Sequence, residues 1–398
     1  MPNRRQLLSR SAGLIAVGLA GCLGSNSNSE TTTSTNESTE TETPTNTTAS
    51  ETEEGIEPYT VTVEPNPSYT FEEVPETYAT IPSVWMDIGM ALGIQPSATA
   101  SLKRAPLKFY ELLPGVSFDE SEITKLAEGS ESGFDKENFY AADCDVHLID
   151  RRMLKFYANW DESDLDEIST SVGPFLGSSI RFASTSVTEN EPYYDLYGAF
   201  EKGAKIFQRQ DRFEAWQSLH DDFMSEITSE LPPEDERPTV AAIWRGVNPD
   251  SGKFRIAPLH PLQNNTLTYR RLGMRDAFAG RVPDGPIGYE ELLDVDPDYI
   301  GAVGGLTSLT HEEFVNTIVE PFENNQNAKN LTAVQEKNLV RTAGQFMGPI
   351  VDLFATEALA KMVYPDTFGE WPGSAAEIPE SERLFDRQRV SDIINGNN

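Results

Sequence analysis

The chain has 398 residues, with 64 acidic against 31 basic side chains and a formal charge of −33. So acidic a surface repels phosphate backbones, which excludes nucleic acid as a partner. Only two cysteines and four histidines are present, spread without the spacing of a metal centre, and no nucleophile elbow of the Gly-x-Ser-x-Gly kind accompanies them.

Residues 1–21 open with Arg4 and Arg5 in "NRRQLL" and continue into an apolar run from Ala12 to Ala20. Nine or so apolar residues fall far short of the ~20 of a membrane span. The segment is therefore expected to be an export signal, its paired arginines fitting the route that carries folded proteins. "LAGC", ending at Cys22, resembles a lipoprotein cleavage box, so Cys22 is expected to carry lipid. Residues 22–55 are almost entirely Ser, Thr, Asn and Glu. Such a segment cannot offset its ordering entropy, and it is expected to be a disordered tether spanning roughly 30 Å. With Cys22 lipidated, Cys144 has no disulfide partner. In "DCDVHLI" it reads as a buried, inert thiol.

An N-terminal lobe is expected over 56–194. "VPETYATI" is extended and "SVWMDIGMALGI" is a helix capped by Ser83. "ESEITKLAEG" and "DKENFYAAD" read as helices, "CDVHLI" as a buried strand, and Ser163 with Asp166 as a capping box. "GSSIRFAS" reads as a further strand. Between Leu196 and Leu231 apolar residues recur in steps of three and four, through Phe200, Phe207, Phe213, Trp216, Leu219, Phe223 and Ile227. That pattern predicts one helix of about 35 residues, ~50 Å long, as a spine over 195–232. Prolines 232 and 233 stop it. A second lobe over 233–398 then alternates again. "PTVAAIW" is a strand and "TLTYRRLGMRDAFAG" a helix; "YEELLDVDPDYIGAV" is a helix followed by a strand. "THEEFVNTIVEPFENN" is a helix boxed by Thr310 and Glu313, "KNLVRTAG" a strand, and "GPIVDLFATEALAKMVYP" a helix ending at Pro365. The expected fold class is α/β, two Rossmann-like lobes with parallel sheets joined by one long helix, a ligand cleft between them.

Several phrases in this order resemble the substrate-binding proteins of ABC importers for iron–siderophore complexes and vitamin B12. They are "YEELLDVDPDYI", "LTAVQEKNLVRTAG" and "MGPIVDLFATEALAKMVYPDTF", with "DVHLIDRRML" and "DERPTVAAIW". The likeness spans roughly 70–395, although Glu336–Lys337 stands where that family often has a glycine turn. Arg outnumbers Lys by 20 to 11, and with the acidity this fits a haloarchaeal member. The resemblance implies a lipid-anchored, extracytoplasmic monomer on the outer face of the membrane. It would hold no intrinsic cofactor, catalyse nothing, and deliver a chelated metal, a ferric siderophore first, to a permease and its ATPase. Corrinoid or haem is the alternative cargo, and a non-transporting surface lipoprotein the alternative role.

Ligand residues are expected at strand ends, where α/β sheets expose their binding loops. Trp85, Trp160 and Trp244 occupy such positions and suit a bulky, partly apolar chelate. Arg151, Arg152, Arg181 and Arg245 lie beside them, with guanidinium forks for carboxylate, hydroxamate or amide oxygens. Packing is the alternative for each tryptophan, and ion pairing with abundant carboxylates for each arginine. His147 is expected in the core, His220 in solvent, His260 on a loop and His311 at a helix start.

Overall fold

The computed structural model describes residues 56–398 except 82–83, 104, 128–132, 181–193, 245–248, 262, 282, 345–346 and 398. The expected signal, Cys22 and the tether lie outside the described residues, as do Arg181 and Arg245.

An antiparallel ribbon, β1 (Tyr59–Val61) with β2 (Tyr69–Phe71), precedes the first lobe. That lobe runs β3 (Tyr78–Thr80), α1 (Val84–Ala91), β4 (Ala98–Thr99), α2 (Leu107–Tyr110), β5 (Thr124–Lys125), α3 (Lys136–Ala142), β6 (Val146–Leu148), α4 (Arg151–Tyr157) and α5 (Glu162–Ser171). Its four strands are parallel in the order β5-β4-β3-β6. Every residue of β3 and β6 is buried, the signature of strands covered on both faces. Asp135, Asp150 and Asp161 cap α3, α4 and α5. The capping box of α5 is Asp161 with Asp164, two residues before the predicted pair. The helix expected at "ESEITKLAEG" is instead a 3-10 turn followed by edge strand β5, because β-branched Ile123 and Thr124 pair better than they wind.

Next come α6 (Leu196–Ile206) and α7 (Gln210–Glu230). They replace the predicted continuous spine. Gln208 takes a left-handed φ of 50°, and the chain reverses there. A straight helix would hold Tyr197 and His220 about 35 Å apart, yet their rings lie 4.4 Å apart. The spine is an antiparallel helical hairpin.

The second lobe runs β7 (Thr239–Trp244), α8 (Leu267–Arg271), β8 (Arg275–Asp276), α9 (Tyr289–Val295), β9 (Tyr299–Val303), α10 (Gly305–Ser308), α11 (His311–Phe314), α12 (Glu320–Asn324), α13 (Thr332–Gln335) and β10 (Leu339–Thr342). A π-helical turn, Val315–Val319, joins α11 to α12. Then follow α14 (Pro349–Val363), α15 (Pro365–Phe368) and α16 (Arg387–Asn395). The sheet is parallel in the order β8-β7-β9-β10. The helix expected across "TLTYRRLGMRDAFAG" ends at Arg271, where Gly273 at φ 68° turns the chain into β8.

One apolar cluster runs through both lobes. It contains Tyr78, Trp85 and Leu148 of the first, Phe200 and Trp216 of the hairpin, and Val240, Val303 and Val340 of the second. At its centre α14 is buried on nearly every side. Asp87 of α1, fully buried, accepts N–H bonds from Ile350 (2.9 Å) and Val351 (3.1 Å) in its first turn. An N-terminal-lobe carboxyl thus caps a C-terminal-lobe helix. Trp216 donates from α7 to the Ala91 carbonyl of α1 at 2.8 Å. The lobes are joined by this shared core and the hairpin rather than by a straight rod.

Candidate functional site

Each sheet order reverses once. In the first lobe the reversal lies between β3 and β6, and in the second between β7 and β9. The loops leaving such neighbouring strands diverge, opening a crevice at the carboxyl edge.

The first crevice is lined by Ile81, Val84, Trp85, Asp150, Met153 and Ser178 among others. Trp85, 3 % exposed, donates its indole N–H to the Ser178 carbonyl at 2.8 Å. The Ser178 backbone can cross the end of β6 because Gly177 has no side chain. A Cβ there would lie 2.2 Å from the Ile149 nitrogen. Asn66 holds the crossing strap from the other side, donating to the Gly177 carbonyl at 2.8 Å. Thr80 ties the two strand ends together through the Leu148 carbonyl.

Asp150 caps α4 and receives both Nε (3.0 Å) and Nη2 (2.7 Å) of Arg152. Arg151 points to α5, bonding Glu162 at 3.0 Å and Asp166 at 2.8 Å. Of the four arginines expected to meet a ligand, the two that are described thus have carboxylate partners, the ion-pairing alternative. Trp160 departs from expectation more sharply. It packs 5.1 Å from the Phe139 ring in a separate core of the first lobe with Leu154 and Leu165, a wall of the fold and not of the crevice. Of the sequence-predicted residues, Trp85 alone lines this crevice among those described. Met153 carries no signal in the sequence beyond following a predicted strand, and Ser178 falls inside the strand expected at "GSSIRFAS", whose described residues 177–180 are not strand but the strap over the crevice.

At the second reversal Trp244 ends β7, half-buried against the shared core. Opposite it, β9 is followed by Gly304, with φ 83°, and β10 by Gly344, with φ 65°. A Cβ on Gly344 would meet the Gly304 nitrogen at 2.6 Å, so glycine is what lets these two loops touch. Thr307 fastens them through the Ala343 carbonyl at 3.0 Å. Lys108 of α2 reaches across from the first lobe to the Leu306 carbonyl at 2.5 Å. Trp85, Leu306 and the ring of Trp244 all belong to or pack on the one shared cluster.

The histidines divide as follows. His147 is a core residue, bonded to the Gly173 carbonyl at 2.8 Å, and burial lowers its pKa to about 4. His220, expected in solvent, is buried beside Tyr197, its Nε2 3.6 Å from Asp352. Folding α7 back on α6 encloses it. His311 follows the Thr310 cap of α11. Cys144 is fully buried, and burial raises its thiol pKa to about 12. Among the described residues no group of three or more His, Cys, Asp or Glu side chains is placed to hold a metal ion. No helix there is long and apolar enough to cross a membrane. A wider groove of about 590 Å³ lies between α7 and residues 380–389. Its Arg389 and Arg387 already face Asp222 and Glu357.

Residues 180–345 match the profile of a family described as periplasmic binding protein. No curated protein matches by sequence. Solved structures match across the fold. The petrobactin-binding protein YclQ of Bacillus subtilis aligns at TM-score 0.55 and 15 % identity, covering 77 % of this chain and 98 % of its own. A periplasmic binding protein of Veillonella parvula aligns at 0.57 and 16 %, covering 77 % and 97 %. The triscatecholate siderophore-binding protein FeuA of B. subtilis, solved with ferri-bacillibactin, aligns at 0.52 and 15 %, covering 76 % and 98 %. At these identities the likeness is one of fold: the chain has the two-lobed α/β architecture of these binding proteins.

Proposed function

We propose that the chain is the solute-binding component of an ABC importer, capturing a chelated ferric ion outside the cytoplasmic membrane and handing it to a permease driven by an ATPase. The observation that carries this reading is the pair of sheet-reversal points, each with a tryptophan, Trp85 and Trp244, on one core shared by both lobes. The fold likeness to proteins of siderophore and iron uptake supports it. The ion is cargo and arrives already wrapped, so the protein needs apolar walls and a few polar contacts rather than metal ligands. A site whose walls are held by a common core loses little entropy on binding, which favours affinity without large closure.

Export by the twin-arginine route, lipid on Cys22 and a tether over 22–55 complete the proposal. A tethered binder stays near its permease at high effective concentration. The acidity fits a haloarchaeal surface, and the chain acts as a monomer without resident cofactor or catalysis.

Calorimetry of the full chain in molar salt, against ferric citrate, a ferric trihydroxamate, a ferric tris-catecholate, haem and cobalamin, tests this reading. One ferric chelate is expected to bind saturably at one per chain, at least tenfold more weakly to Trp244→Ala. Binding of haem or cobalamin alone would replace the cargo, and no binding to folded protein would remove the capture role.

A further inference from the structure

Phe156 is 78 % exposed and Tyr157 45 % exposed, in a chain whose surface is otherwise dominated by carboxylates. Their rings meet edge to face, 4.9 Å apart. Both stand on α4, the helix that rises directly from the first crevice after its Asp150 cap.

The helix has distinct sides. Leu154 turns into the core. Arg151 and Lys155, one turn apart, both reach Glu162 of α5, so that side is occupied. Met153 lines the crevice. Phe156 and Tyr157 follow Met153 by three and four residues, the spacing that stacks side chains on one helical face. The face opposite the α5 ion pairs is therefore Met153, Phe156 and Tyr157, running from crevice to rim, with Arg152, paired to Asp150, on its flank one turn before Phe156.

Resting on the capture reading above, the geometry points to this face as a ligand wall selecting chelates that carry aryl or other flat apolar arms. Aromatic rings bury large areas and gain further from offset or edge-to-face contact with another ring. Left to water, two rings on an exposed rim contribute nothing to folding. Against a flat arm seated on Met153 they form a continuous apolar strip, and the chelated ion itself need not touch the protein. Trp85, held by its own hydrogen bond, backs the same crevice.

Two neutral ferric complexes with the same donor atoms isolate this contact: tris(benzohydroxamate) and tris(acetohydroxamate), which differ by phenyl against methyl. With the full chain in molar salt and excess ligand, the phenyl complex is expected to bind at least tenfold tighter. In Phe156→Ala/Tyr157→Ala, that ratio is expected to fall to about twofold or less, while the affinity for the methyl complex and the Tm stay unchanged. A ratio that survives the double substitution overturns the proposal. So does a wild-type ratio near one, and if a ferric trihydroxamate or ferric citrate still binds, the capture reading stands without the aryl wall. If no ferric chelate binds at all, both fall together.

Discussion

Asp87 lies in a helix whose every residue is buried, and its carboxyl is engaged by the first-turn amides of α14. Burial raises its pKa from 3.8 to about 7, with the Val351 and Ile350 amides opposing the rise. Between these values the folded chain holds a proton that the unfolded chain has released. Its contribution to stability therefore falls as pH rises from about 4 to about 7, and is level beyond either end. Thermal melts across pH 4.5–8 are expected to show wild type losing ground to Asp87→Asn through that window. Parallel curves would place the titration elsewhere. Asp87→Ala strands two buried N–H groups and is expected to cost about 1–3 kcal/mol near pH 4, a deficit that shrinks as pH rises through the same window. The sequence shows an acid inside an apolar helix but hides its partner, which lies 263 residues away. Trp85 was legible for a simpler reason, since a tryptophan in the first turn of a helix after a buried strand has few places to go. Trp160 also follows a strand, but α5 closes over it, and no local pattern distinguishes a rim from a wall.

At the level of elements, most strands and helices follow from periodicity and caps, because each local preference agrees with the burial it meets. The hairpin α6–α7 escapes that logic. Its apolar residues stay in helical phase through Phe207, and the reversal needs only one left-handed residue, Gln208. Nothing in composition marks a break that costs about 1–2 kcal/mol. Gln208→Gly makes the sign of the effect decisive. In a hairpin it relieves strain and is expected to stabilise by about 0.5–1 kcal/mol; in a continuous helix it would destabilise by about as much. Denaturant midpoints read the difference. Gly348 is a second such point: a Cβ there would lie 2.4 Å from the Asp87 Cβ. Gly348→Ala is expected to destabilise by about 1–3 kcal/mol through overpacking between the lobes.

For the whole molecule, a common core and a helix capped from the other lobe imply small lobe motion on binding. On the proposed reading the ligand enters at the carboxyl edges of the two sheets. If Cys22 carries lipid as proposed, Cys22→Ser is expected to move the protein from the membrane pellet to the soluble fraction and leave chelate affinity unchanged. Where the ligand sits is the central claim, and hydrogen–deuterium exchange on the full chain with a saturating ferric chelate tests it most directly. Protection is expected in the segments that follow β3, β6, β7 and β9, at Val84–Met86, Ile149–Met153, the end of β7 at Trp244, and Gly304–Thr307. Protection confined to the groove between α7 and residues 380–389, with the strand ends unchanged, would contradict the account.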